Sequence, residues 1–115
     1  MAKVLIMLVR VVALVSIVLG VLLWSGSQNY LGPHIGSGFL ISAVVFALSI
    51  FGILKKAVVP GILGVILAVL LPVVGLKQLP LTYHTFGIIQ IIHVLVALAI
   101  IGVAESLYGA IRRAS

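Results

Sequence analysis

Few side chains in this 115-residue chain can bind a metal or move a proton. It holds three histidines, a single acidic residue and no cysteine. The two histidines at the edges of long apolar runs, His34 and His93, are the candidates for cofactor binding, with Gln90 one turn before His93. Two imidazoles at one level can ligate heme iron from both faces, and a nearby amide can orient one of them or reach a propionate. Heme b is therefore one cofactor expectation, with His34 and His93 as iron ligands. The same groups suit a quinone-proximal or proton site, and intramembrane histidines also serve as plain interhelical hydrogen-bonding groups. Zinc fits poorly, since only His34, His84 and His93 are on offer and no carboxylate lies at their level. Without cysteine, thiolate and iron–sulfur chemistry are excluded. No hydrolytic triad, phosphate loop or carboxylate pair is present, so the chain reads more as a non-enzyme than as an enzyme.

Those residues need elements to hold them. The chain is 64% hydrophobic, only 7% charged, and has a mean hydropathy of +1.51. A soluble domain of this size cannot hide that much apolar surface, so its solvent is lipid. Four apolar segments, 4–24, 35–54, 57–76 and about 83–111, are each long enough to cross a hydrocarbon core of ~30 Å at ~1.5 Å per residue. Backbone groups in lipid must satisfy one another within the segment, which selects helices. The first segment has the apolar run and Lys3 of a signal peptide, but its length and lack of a cleavage site mark it as helix one. Short Gly-, Ser- and Pro-containing connections favour antiparallel neighbours. The expected fold is an all-α, integral membrane, up-down four-helix bundle in one domain.

The net charge of +6 does not point to nucleic acid, because the basic residues sit at the edges of apolar runs. Lys3, Arg10, Lys55, Lys56, Arg112 and Arg113 fall on one side of an up-down chain, and Lys77 alone on the other. The positive-inside rule then places both ends on the cytoplasmic side of a cell inner membrane. This edge also serves as a ruler. His34 is 21 residues from Lys55 (55 − 34) and His93 is 19 from Arg112 (112 − 93), or ~31 and ~28 Å along ideal helices. Both imidazoles then lie near the outer boundary, while His84 sits above it. Arg10 and Glu105 each lie seven residues (10 − 3 and 112 − 105) above that edge, or ~10 Å. A charge at such depth is costly unless it faces inward and is paired, so an Arg10–Glu105 ion pair clamping helix one to helix four is expected.

At the helical period, Tyr83, Phe86, Gln90, His93, Ala97, Ile101, Ala104 and Tyr108 share a face of helix four. His34, Gly38, Ile41, Val45, Ser49, Gly52 and Lys56 share one on helix two. Gly61, Gly64, Ala68, Pro72 and Gly75 line helix three, where small residues permit close approach, and Pro72 is expected to bend its outer end. Trp24, Tyr30 and Tyr83 read as outer-interface anchors.

The stretches "PHIGSGFLISAVV" and "HTFGIIQIIHVLVALAIIGVAESL" resemble an uncharacterised family of small bacterial four-helix membrane proteins. The resemblance rests on Gln90, His93 and the following "G-x-A-E" ending in Glu105. It implies topology and no reaction. Three function classes remain: a heme- or quinone-proximal electron-transfer protein, a non-catalytic accessory subunit of a larger respiratory membrane complex or a homo-oligomer, and a small proton-coupled transporter. Small multidrug-resistance exporters carry their glutamate on helix one, where this chain has Arg10, which would repel a cationic substrate. No ring of polar groups suggests a channel.

Overall fold

In a computed structural model the described residues are 1–26, 28–78 and 87–114, with only the backbone described at Gln28. The expectations for Tyr83, His84 and Phe86 lie outside them. Four helices account for nearly all of these residues: α1 (Ala2–Trp24), α2 (Leu31–Leu54), α3 (Val58–Leu76) and α4 (Ile88–Arg113), with one 3-10 turn at Gln28–Tyr30. All four are long and apolar enough to cross a membrane. The protein is an all-α four-helix bundle, 47 Å along its long axis.

Local chemistry sets the helix ends. α2 begins at Leu31, earlier than the expected 35, because Gly32 and Pro33 fall in its first turn, where a missing N–H goes unused. At its other end Lys56 adopts φ 67°. The Lys56 N–H bonds the Ile53 carbonyl at 2.9 Å and the Ala57 N–H bonds Gly52 at 2.8 Å. This pairing satisfies the last carbonyls of α2 and turns the chain straight into α3. α4 begins at Ile88, later than the expected 83. Gly87 is extended there, and its N–H donates to Gln90 Oε1 at 2.7 Å. α3 runs through Pro72 to Leu76, so Pro72 sits inside a continuous helix.

The four helices form a rhombus. α2 packs along both α1 and α3, α4 packs along α3 and α2, and α1 touches α4 more lightly. The diagonal helices α2 and α4 meet directly, while α1 and α3 make no contact among the described residues. Ile6 and Val9 of α1, Val45, Leu48 and Ser49 of α2, and Ile100, Ala104 and Leu107 of α4 are almost wholly buried, and all lie in the half nearer the chain ends. In that half the helices approach as closely as glycine permits. A Cβ on Gly64 would collide with Ser49 Oγ and stand 3.1 Å from Leu107 Cδ1. One on Gly61 would meet Ile53 and the Ser49 carbonyl, and one on Gly52 would meet Leu107. The expected faces of α2 and α3 are buried or half-buried, except that Lys56 lies beyond the end of α2 and is exposed. On the inner half of α4 the buried stripe is Val96, Ile100, Ala104, Leu107 and Ile111. It lies about one residue round from the expected Ala97, Ile101 and Tyr108, because α4 must face α2 as well as its sequence neighbour.

The outward surface is apolar. Leu14 on α1, Phe46 on α2, Val69 on α3 and Leu95 on α4 are all exposed. In water such a surface would aggregate; in hydrocarbon it costs nothing. The chain is thus a multi-pass membrane protein in contact with lipid.

The glycine contacts predict their own test. Gly64→Ala must displace a fully buried serine, so it is expected to lower stability by about 1–3 kcal/mol. Gly102→Ala, with no atom within 4 Å of the new Cβ, should leave stability unchanged or slightly raised. Thermal melts in one detergent check both; equal melting temperatures would show that the crossing is not closely packed.

Candidate functional site

The half of the bundle near the α1–α2 connection is hollow. A cavity of about 310 Å³ lies among all four helices there. Along α1 it runs from Ala13 to Trp24, eleven residues (24 − 13), or ~16 Å. Its walls are mostly apolar, with His34, His93, Ser16 and Gln90 among the polar exceptions.

His34 enters from the first turns of α2 and reaches α1. Its Nδ1 lies 3.0 Å from the Ser16 carbonyl oxygen and 3.4 Å from Ser16 Oγ. A carbonyl only accepts, so this contact places the proton on Nδ1 and leaves the Nε2 lone pair unused. Gly20, one turn beyond Ser16, makes the approach feasible, since a Cβ there would stand 3.2 Å from His34 Cε1.

His93 enters from α4 and lies against α3 in the same manner. A Cβ on Gly75 would stand 3.2 Å from its Cε1 and 3.6 Å from its Nδ1. Here no carbonyl answers. His93 Nδ1 is buried with no hydrogen-bond partner, a state shared among the described residues only by Ser42 Oγ. The two imidazole centres are 6.1 Å apart, with the ring planes at 76°. Two residues 59 positions apart in sequence (93 − 34) thus meet at one level across the short diagonal.

Gln90 lines the cavity and is buried, but it does not reach His93. Its Oε1 caps its own helix at Gly87. That bond engages the amide oxygen of Gln90 and leaves its amide nitrogen as the group that could act in the cavity. Sequence reasoning passed over Ser16 and Gly20, and took Gly75 only for helix packing. The signal was there in the S-x-x-x-G spacing of α1, which puts a small residue one turn from a serine on the same face. Among the described residues no three metal-binding side chains lie together.

Arg10 and Glu105 form the expected pair, and it is bidentate. Arg10 Nε donates to Glu105 Oε1 at 2.7 Å and Nη2 donates to Oε2 at 2.9 Å. It does not face inward, however. The two side chains are 47% and 42% exposed, in the outer groove between α1 and α4. Both core faces are filled by Ile6, Val9, Ala104 and Leu107, which leaves the long polar side chains the flank of the bundle. The fork geometry and the neutralised charge make that flank tolerable in lipid.

Searches of known protein families, of curated proteins and of solved structures found no match to this chain.

The pair carries a clear expectation. Glu105→Gln leaves a guanidinium unpaired on a lipid-facing groove and should lower the melting temperature. The double change Arg10→Leu with Glu105→Leu should recover part of that loss. Melts of the single and double variants decide it; a double variant worse than the sum of the singles would deny the clamp.

Proposed function

We propose that this chain is a small electron-transfer membrane protein whose cavity holds a b-type heme between His34 and His93. The supporting observation is the pair of imidazoles at 6.1 Å on the wall of one cavity. Two imidazoles on opposite faces of one iron stand with centres roughly 6 Å apart, from two metal–nitrogen bonds of about 2 Å and about 1 Å from each nitrogen to its ring centre. The cavity falls at the lower end of the ~300–1,000 Å³ range of ligand pockets. Gly20 and Gly75 let each ring seat its edge against the neighbouring helix.

His34 and His93 would hold the heme, which would supply one-electron exchange. The chain's own residues set its surroundings. The Ser16 carbonyl fixes the tautomer of His34 and raises the basicity of its Nε2. The mostly apolar walls give a bound macrocycle a surface to pack against. His93 Nδ1, unpartnered, leaves that ring without a fixed tautomer.

The same nitrogen supports a second reading, a quinone. With the ring turned out of the Gly75 notch, an N–H at His93 Nδ1 would donate to a carbonyl oxygen in the cavity. In either reading the chain sits in a bacterial cytoplasmic membrane with its ends and the Lys55–Lys56 turn inward, and the cavity opens toward the outer face.

Purified protein is expected to show a Soret band on hemin addition, and His34→Ala and His93→Ala should each abolish it. Ser16→Ala should keep it, because the backbone carbonyl remains. Protein that stays helical by circular dichroism yet retains no Soret band once unbound hemin is removed would overturn the heme reading. A thermal shift with a short-chain quinone, lost in His93→Ala, would then favour the second.

Orientation has a separate test, simple because cysteine is absent. In intact cells Ser25→Cys should react with an impermeant maleimide and Lys55→Cys should not. The opposite result reverses the topology.

A further inference from the structure

At the end of the bundle that carries both termini, cations outnumber their partners. Arg10 and Glu105 neutralise each other through two hydrogen bonds. That leaves Lys3, Lys55, Lys56, Arg112 and Arg113, all exposed, with no acidic side chain against them among the described residues. Arg112 is not loose, however. Its guanidinium carbon lies 5.9 Å from the centre of the Tyr108 ring, and Arg10 lies over the same ring, also at 5.9 Å. Glu105, Arg10, Tyr108 and Arg112 form one connected stack along the α1–α4 groove.

The stack sets the position of Arg112. The two α4 residues are four apart (112 − 108), hence one turn apart on one face. Side chains on a helix lean toward its N-terminus, which for α4 means back toward the membrane interior. Arg112 is exposed, and apart from the Tyr108 ring no described side chain is seen against its guanidinium. Arg10 cannot serve in its place, since Nε and Nη2 are held by Glu105 and Nη1 points at Met7 Sδ, 3.6 Å away. An exposed guanidinium at the boundary of an apolar span, among unpaired cations, matches a phosphodiester in charge and in hydrogen-bonding capacity.

We propose that Arg112, held over Tyr108, is a binding site for the phosphate of an anionic phospholipid on the side of the membrane that carries the chain ends. The partner is a lipid because the fork lies against an apolar groove, so that a bound headgroup would lay its acyl chains along exposed Met7, Val11 and Leu14 of α1. This differs from the diffuse attraction of basic loops for anionic membranes, which depends on the number of charges and not on which one is removed.

The experiment uses the full chain reconstituted in phosphatidylcholine vesicles with a trace of spin-labelled phosphatidylglycerol or phosphatidylcholine. The fraction of label immobilised at the protein surface is measured for each. Wild type should immobilise the anionic label in preference. Arg112→Gln should reduce that preference by about tenfold, the loss of a charge-assisted hydrogen bond to the phosphate. Tyr108→Leu should do nearly the same, Tyr108→Phe should not, and Arg113→Gln and Lys77→Gln should leave the preference in place. Circular dichroism confirms that each variant is folded. The site is refuted if wild type shows no preference, or if Arg112→Gln and Arg113→Gln reduce it equally, which is the signature of a diffuse basic surface.

Discussion

The crossing of α2, α3 and α4 around Ser49, Gly64 and Leu107 is the contact on which the remaining geometry rests. No hydrophobic force drives helices together in lipid, so association depends on close packing and on interhelical polar contacts. Gly52, Gly61 and Gly64 remove the side chains that would hold the backbones apart, and Ser49 turns its hydroxyl back onto the Val45 carbonyl at 2.7 Å. Its polar atom is thereby satisfied inside its own helix, and the crossing can close without burying an orphan group. Both diagonal helices pass through this contact, which makes α2–α4 the short diagonal and leaves α1 and α3 apart.

The cavity follows from that arrangement. Dense packing is concentrated toward the end with the chain termini, where the almost wholly buried residues lie. Toward the other end His34 and His93 prop the walls, each with its ring edge in a glycine notch on the neighbouring helix, Gly20 on α1 and Gly75 on α3. The two notches look alike in shape but differ in chemistry. One presents a carbonyl to the imidazole and the other does not. A rigid, hydrogen-bonded ring and a ring lacking that bond therefore face each other across 6.1 Å. The asymmetry has an energetic side: a buried polar nitrogen without a partner is unfavourable, and of the two rings only His93 carries a nitrogen in that state.

Charge is handled on the opposite principle. The polar groups of the cavity are enclosed, whereas the Arg10–Glu105 pair lies on the flank, neutralised by a bidentate contact. Packing explains the choice. A long ion pair in the tight half of the bundle would need space that Ile6, Val9 and Leu107 occupy. Placed in the α1–α4 groove, it fastens the pair of adjacent helices with the lightest mutual packing.

Much of this was legible in residue order. The four spans, their antiparallel sequence and the common level of the two imidazoles follow from apolar length, basic edges and a constant rise per residue, all of which are local quantities. The pairing of Arg10 with Glu105 was legible for the same reason, since two lone opposite charges at one depth have few alternatives. The direction each group faces was not. Helical periodicity gives the relative angle between residues of one helix but not the rotation of that helix against three others, so Glu105 turned outward and the inner stripe of α4 moved to Val96, Ile100 and Leu107. Hydrogen-bond choices were equally hidden. Gln90 bonds its own helix start because Gly87 is three residues away, while Ser16 meets His34 only because Gly20 lets two backbones come close. Such contacts depend on distances between helices, and those are set by packing in three dimensions.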